Sequence, residues 1–125
     1  MQVYAISEMK SKRSRIILKK GHKYMPLRTD EIVLFYTESK IVFAIDKDNI
    51  KYFCDYTLFE LESMLDEKIF FRANRQYIIN INYVKAFHSL QRVKTKVEMN
   101  IAEQNHSIVV SQITTPDFRK WISEA

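Results

Sequence analysis

The sequence predicts a mostly β fold of small antiparallel sheets, made of short strands, with a short helix near residues 57–66 and a short C-terminal helix near 116–123. Runs of β-branched and aromatic residues recur along the chain between polar segments, as is typical of strands and turns. Residues 93–101 alternate between Val, Thr, Met or Ile and charged or amide residues, which is the two-residue period of a half-buried antiparallel strand. These patterns favour one antiparallel β domain.

Polar turn segments bound the predicted strands. Gly21 and His22 form a turn after a first strand with basic flanks, and residues 46–49 have the composition of a hairpin turn. Residues 102–106 are the predicted turn into the last strand. In chain order, the strands are expected at 16–18, 32–36, 41–45, 50–54, 69–73, 77–81, 93–101 and 107–111.

The first helix has a clear start signal. Thr57 and Glu60 have the spacing of a capping box, in which each residue satisfies a backbone N–H of the other. Leu58, Leu61 and Leu65 then fall on one apolar stripe, which predicts that this side of the helix is buried.

The second helix is predicted from Thr115 as N-cap and Pro116 at the first helical position. Phe118, Trp121 and Ile122 follow at helical spacing. We expect this short helix to dock through that aromatic side.

Length and composition indicate one domain at 15–125, preceded by a basic tail or linker at 1–14. Hydrophobic residues make up 46% of the chain, enough for a packed core. The single cysteine, Cys54, cannot form an internal disulfide, and no apolar run approaches the roughly 20 residues of a membrane span. We therefore expect a cytoplasmic protein with no membrane partner.

Charge is segregated along the chain, although the formal net charge is only +5. Residues 1–28 contain eight basic residues and one acidic residue, and residues 68–97 contain seven basic residues and no acidic one. Residues 46–67 instead hold seven acidic residues and two lysines. This segregation favours a positive face that attracts a phosphate backbone, although solvated strand faces have a similar composition.

Catalytic constellations are weak, so we expect no enzyme activity, no cofactor and no metal. His22, His88 and His106 are far apart and lack a companion Cys or carboxylate at the spacing of a metal site. Cys54 lies in an apolar strand run, where a buried thiol is more common than a nucleophile. One glycine cannot build a glycine-rich phosphate loop.

The string FFRANRQYIININYV predicts two buried strands separated by a polar break at Asn74, Arg75 and Gln76. Asn and Gln can each form two hydrogen bonds with adenine in the major groove of DNA, and Arg can do so with guanine. Alternatively, Asn74 and Gln76 satisfy backbone groups of the turn while Arg75 pairs with a surface acid. Taken alone, the spacing slightly favours this structural interpretation.

The chain resembles the LytTR family of DNA-binding domains over about residues 15–122. FFRANRQYIININYVKAF resembles the family signature F-x-R-x-[HN]-R-[SQ]-Y-[IL]-[IV]-N. RIILKKGHKYMPLRTDEIVLFYTESK is similar to its opening strands, TLFELESMLDEKIFFR to its helix, and SIVVSQITTPDFRKWI to its last strand and helix. The resemblance implies a bacterial transcription regulator that binds a specific double-stranded DNA site through loops entering successive major grooves.

Site residues follow from this resemblance position by position. At Gln112 the family usually has arginine, so this chain lacks a charge and a guanine-binding fork there. Arg72 is expected to be half-buried and paired with an acid. Base contacts are expected from Asn74, Arg75, Gln76, Lys40 and Gln112. Phosphate contacts are expected from Lys19, Lys20, His22, Lys23 and Ser39.

The resemblance also implies a regulatory context. Many members carry a receiver domain, for which this chain has no room, so we expect either a stand-alone regulator or the effector part of a two-component response regulator. The expected partner is a promoter duplex, with tandem half-sites, bound by a protein that is a monomer in isolation or a dimer on DNA.

Two alternatives remain open at this point. A single-stranded nucleic-acid binder of small-barrel type would expose aromatic rings such as Tyr77 or Phe87 as stacking platforms. A protein-interaction module would use its basic face on an acidic partner. Burial of those rings is the feature that separates the first alternative from duplex binding.

Overall fold

The computed structural model describes residues 12–102 and 105–124. In this part of the chain it has ten strands, two α-helices and two 3-10 turns, at Thr29–Glu31 and Ile81–Tyr83. The helices are α1 (Leu58–Met64) and α2 (Thr115–Glu124). The strands are β1 (Arg15–Lys20), β2 (Lys23–Arg28), β3 (Ile32–Glu38), β4 (Ile41–Asp46), β5 (Lys51–Cys54), β6 (Phe70–Arg72), β7 (Tyr77–Asn80), β8 (Val84–Leu90), β9 (Lys94–Met99) and β10 (Ile108–Val110). The predicted mostly β fold is confirmed.

The strands form two antiparallel sheets. The large sheet has seven strands in the order β2-β1-β5-β4-β3-β7-β6, and the small sheet has three in the order β10-β9-β8. β3 lies inside the large sheet, paired with β4 on one side and β7 on the other. Pro26 lies in the edge strand β2, where a missing backbone N–H is tolerated.

The large sheet separates two hydrophobic clusters. On one face Leu58 and Leu61 of α1 and its C-cap residue Leu65, which are 5%, 0% and 2% exposed, pack against residues such as Phe35. On the other face the small sheet and α2 supply a second cluster that includes Phe118. Alternate residues of β4 therefore belong to different clusters, whereas in β3 a register shift puts both Val33 and Leu34 in the second cluster.

The helix predictions have different outcomes at their first residues. The capping box at α1 is confirmed: Glu60 N donates to Thr57 Oγ1 (3.0 Å), and Thr57 N donates to Glu60 Oε1 (2.9 Å). Thr115, in contrast, already belongs to α2. Its hydroxyl donates to Ser111 O (2.8 Å), and the Phe118 N–H that an N-cap side chain would take donates to Thr114 O (3.0 Å). This prediction was one residue late.

The N-terminal part of the described chain already packs on the domain. Arg13 N donates to Met64 O (3.0 Å), and Thr29 N donates to Ser14 O (2.9 Å). Residues 12–14 of the predicted tail therefore contact α1 and the 3-10 turn that follows β2. Residues 1–11 of that tail lie outside the described residues.

Candidate nucleic-acid interface

Four turns gather at one end of the molecule, which we call the loop end. They connect β3 to β4 (Ser39 and Lys40), β6 to β7 (73–76), β8 to β9 (91–93) and β10 to α2 (111–114). Strand direction explains the first two, because β7 runs antiparallel to β3 and so begins at the end where β3 stops. A hydrogen bond from Thr37 N to Gln76 O (3.0 Å) fixes this neighbourhood.

The small sheet joins the large one at the loop end. The side chain of Asn74 donates from Nδ2 to Val109 O of β10 (2.9 Å). Residues 72–76 and the side chains of Ser111 and Thr114 then line an open concavity of about 660 Å³. The structure thus brings the predicted reading loop next to the predicted contact region after Ser111, about 35 residues further along the chain.

Asn74 uses both ends of its amide within the protein. Its Oδ1 accepts from Gln76 N (2.8 Å) and Tyr77 N (3.0 Å), while its Nδ2 is held by Val109 O. This is the structural alternative considered for Asn74 from the residues alone. In this arrangement three hydrogen bonds tie the Asn74 amide to its own loop and to β10.

Arg72 holds the same loop from the other side. Its Nη1 donates to Glu62 Oε2 on α1 (2.7 Å), its Nε to Asn74 O (2.7 Å) and its Nη2 to Arg75 O (2.9 Å). The predicted half-buried, acid-paired arginine is confirmed. Because three of the five guanidinium N–H donors are bonded to these oxygens, the Arg72 side chain holds the loop in place.

Arg75 and Gln76 differ from their neighbours, since both side chains are exposed. Within the described residues neither makes a side-chain hydrogen bond, and Arg75 forms no ion pair. The backbone of the loop is fixed by Arg72, Asn74 and Thr37, while two polar side chains project from it. Such a preorganised pair can bind a ligand without first ordering the chain.

Ser39 and Lys40 form the tight turn between β3 and β4. Both have positive φ, 52° and 68°, as the two central residues of a type I′ hairpin turn require. Glycine and asparagine are the usual residues here, so Ser and Lys adopt this backbone at a cost. Both side chains are exposed, and the lysine ammonium is carried at the tip of a short, fixed turn.

Gln112 lies in the turn at 111–114 and is exposed. Sequence reasoning missed three other exposed residues of the loop end: Ile113, Arg92 and Lys94. The sequence signal for Arg92 and Lys94 was the acid-free basic stretch at 68–97. The register pairs Val110 with Thr95, which places the start of β9 beside Ser111.

The predicted phosphate contacts near the first turn lie across the large sheet from the 73–76 loop. β1 runs antiparallel to β5 and so away from the loop end, and the register from β1 to β3 places Lys19 level with Tyr36. Four strand spacings, about 19 Å, separate β1 from β7. Lys19 shares a face with Tyr24, whose ring centre is 5.5 Å from the ammonium, whereas Lys20 and Lys23 point to the face that carries Leu18.

The aromatic rings of the single-stranded alternative are not free platforms. Tyr77 is 5% exposed, and its hydroxyl lies 2.9 Å from His106 Nδ1. Phe87 is half-buried with its ring 5.2 Å from that of Phe118. Neither of these two rings is therefore an open stacking platform.

The remaining chemistry is structural. Cys54 is buried, and burial raises the pKa of its thiol to about 11, so it stays protonated near neutral pH. Within the described residues no group of three His, Cys, Asp or Glu is arranged to hold a metal ion. Over the same residues, no α-helix has the length and apolar composition needed to cross a bilayer.

Comparison with known proteins assigns the family. The sequence profile of the LytTr DNA-binding domain matches residues 22–123. The fold is similar to the LytTr DNA-binding domain of a methyl-accepting/DNA response regulator from Bacillus cereus, with a TM-score of 0.76 at 23% identity over 88% of this chain and 97% of that one. No curated protein sequence matches the chain significantly. The chain belongs to the LytTR family of bacterial regulatory DNA-binding domains, which are not enzymes.

Proposed function

We propose that the chain binds a specific double-stranded DNA site and regulates transcription, with the turns of the loop end entering successive major grooves. One observation carries this proposal: Arg75 and Gln76 project, exposed and unpaired within the described chain, from a loop whose backbone is held by Asn74 and Arg72. A guanidinium fork pairs with the O6 and N7 acceptors of guanine, and a glutamine amide pairs with adenine.

Asn74 has a different role in this proposal from the one the family signature suggests. To form the two hydrogen bonds of an adenine contact, its amide would have to give up bonds to Val109 O, Gln76 N or Tyr77 N. We therefore assign it, with Arg72, to positioning the loop. A direct base contact by Asn74 remains the alternative, and the two roles are distinguishable by the stability of the free protein.

The other turns of the loop end supply further contacts. Lys40 and Ser39 project from the β3–β4 turn toward a groove edge and a phosphate, respectively, and Gln112 offers an amide to adenine or to a phosphate. The basic residues of β1, β2 and their turn lie about four strand spacings across the sheet from β7, so they can reach a different stretch of the backbone from the 73–76 loop. They are Lys19, Lys20, His22 and Lys23. Sequence specificity therefore comes from the loop end, and the β1–β2 turn serves only to position the domain on the duplex.

The regulatory context is also part of the proposal. A receiver domain in the same polypeptide or a stand-alone regulator both suit a domain of this kind. Two copies on tandem half-sites would repeat the same loop-end contacts along one side of the duplex.

The test is selection of binding sites from a random duplex pool by the purified chain, followed by affinity measurement on the enriched site. Arg75→Ala should weaken binding by about 1–3 kcal/mol and relax preference at one guanine position. Arg75→Lys keeps the charge but loses the planar fork, so it should restore affinity for random duplex and not the base preference. Lys68→Ala, which removes one exposed charge away from the loop end, is the matched control.

Each outcome decides between the candidates. Absence of any enriched duplex would refute sequence-specific binding. Equal loss by Arg75→Ala on selected and random duplex would make Arg75 a phosphate contact. Tighter binding of the corresponding single strand than of the duplex would favour the stacking alternative.

A further inference from the structure

Two side chains, those of Gln112 and Ile113, project from the turn at 111–114 at the loop end. Ser111 and Thr114 face the concavity beside the reading loop, whereas Gln112 and Ile113 at the apex do not line it. Ile113 is 89% exposed, more than any other large hydrophobic residue of the described chain.

Hydrogen bonds close this turn beneath its apex. Thr114 N donates to Ser111 Oγ (3.3 Å), and Thr115 N donates to Ser111 O (2.9 Å). Thr115 Oγ1 adds a bond to the same Ser111 oxygen, so the turn is tied to the first residue of α2. The apex therefore projects from a fixed base, as the loop that carries Arg75 does.

Isoleucine is an unusual residue for such an apex. Turns favour Gly, Asn, Asp, Ser and Pro for backbone reasons, and none of those reasons applies to a branched aliphatic side chain. Ile113 packs against neither hydrophobic cluster of the domain. Its aliphatic side chain is thus positioned to contact an apolar group of a binding partner.

We propose that Ile113 contacts the C5-methyl group of a thymine in the major groove and is a specificity-determining residue; this rests on the proposed function. The thymine methyl is the apolar group that base edges present in the major groove. It lies on the same A·T pair whose adenine edge accepts and donates the two hydrogen bonds of a glutamine amide. Gln112 and Ile113 together carry both halves of A·T recognition at one turn.

The experiment uses the duplex enriched by the wild-type chain, with each thymine replaced singly by deoxyuridine, which removes only the C5-methyl group. At one position the wild type should bind about fourfold more weakly, the effect expected for one buried carbon. Ile113→Ala should bind the thymine duplex more weakly by a similar factor and should lose nothing further with deoxyuridine. Phe59→Ala, with a side chain 81% exposed on α1, is the control and should keep the thymine preference.

Three results would overturn the inference, and they are separable from failure of the proposed function. Tolerance of deoxyuridine at every position by the wild type would exclude a methyl contact while specific binding stands. Retention of the thymine preference by Ile113→Ala would assign the methyl to another residue. Equal weakening on thymine and deoxyuridine duplexes would place Ile113 against sugar or a second copy of the chain. If no duplex is enriched, the proposed function fails and the inference fails with it.

Discussion

Replacement of Asn74 by alanine separates positioning of the reading loop from direct reading of a base. The change removes the acceptor of two backbone N–H groups, on Gln76 and Tyr77, and the donor to Val109 O. Gln76 is exposed, so water can replace its partner, but Tyr77 is buried and its N–H would remain unsatisfied. A buried donor without a partner costs about 1–3 kcal/mol.

This cost has a direct readout in the free protein. For a domain of this size each kcal/mol lowers Tm by on the order of 4 °C, so Asn74→Ala should lower Tm by about 4–12 °C. With the loop unfixed, preference at the positions read by Arg75 and Gln76 should weaken together. Thermal melting of the free protein and site selection with the variant measure the two effects.

The opposite pattern would refute the reasoning. An unchanged Tm, with loss of discrimination confined to one base pair, would mean that Asn74 contacts a base and that its protein hydrogen bonds are dispensable. Arg72→Ala is the comparison, because it also removes hydrogen bonds that hold the loop, those to Asn74 O and Arg75 O. It should reproduce the combined loss of base preference.

Two further predictions follow from the same structure. Lys19→Ala and Lys20→Ala should not both flatten the salt dependence of duplex binding, because the two side chains leave β1 on opposite faces. Loss of one phosphate contact changes the slope of log affinity against log salt by about one. A flatter slope in both variants would contradict this geometry. Stability should also fall at alkaline pH. Burial raises the pKa of Cys54 from 9.0 to about 11 and, with a hydrogen bond to Asp46, that of Tyr52 from 10.0 to about 12. Because both pKa values are higher in the folded than in the unfolded state, the stability that the two neutral groups contribute is fully present below pH 9 and is lost as pH rises through 11 and 12. Urea titrations at increasing pH should show this loss. An equally steep fall in Cys54→Val would contradict the role of the thiol.

Much of the fold could be predicted from local pattern, and the exceptions have physical causes. β9 alternates cleanly because one of its faces is buried and the other is wet, and α1 begins with a complete capping box. β2 was missed because an edge strand with Pro26 needs neither an unbroken ladder nor two buried faces. β8 was missed because its residues are exposed or only half-buried, which leaves no two-residue period to detect.

The candidate site was less accessible to sequence reasoning. The meeting of the 74–76 loop with Ser111 depends on one long-range hydrogen bond, from Asn74 to Val109, which no local pattern reports. The family resemblance supplied the residues but not their division into exposed readers and satisfied supports. It also supplied Lys20 and His22 but not their distance across the sheet from the 73–76 loop, which depends on the strand order.

The shared central strand has a consequence for how the domain opens. β3 contributes Phe35 to one hydrophobic cluster and Val33, Leu34 and Tyr36 to the other, all at most 6% exposed. If one cluster unfolded while the other stayed folded, β3 would lose the packing on one of its faces. Its amide protons should therefore exchange with deuterium only through global unfolding. The Ser39 and Lys40 turn continues β3 directly, and the neighbouring loop is bonded to it through Thr37. The segments that would meet DNA are thus anchored to the slowest-exchanging part of the domain.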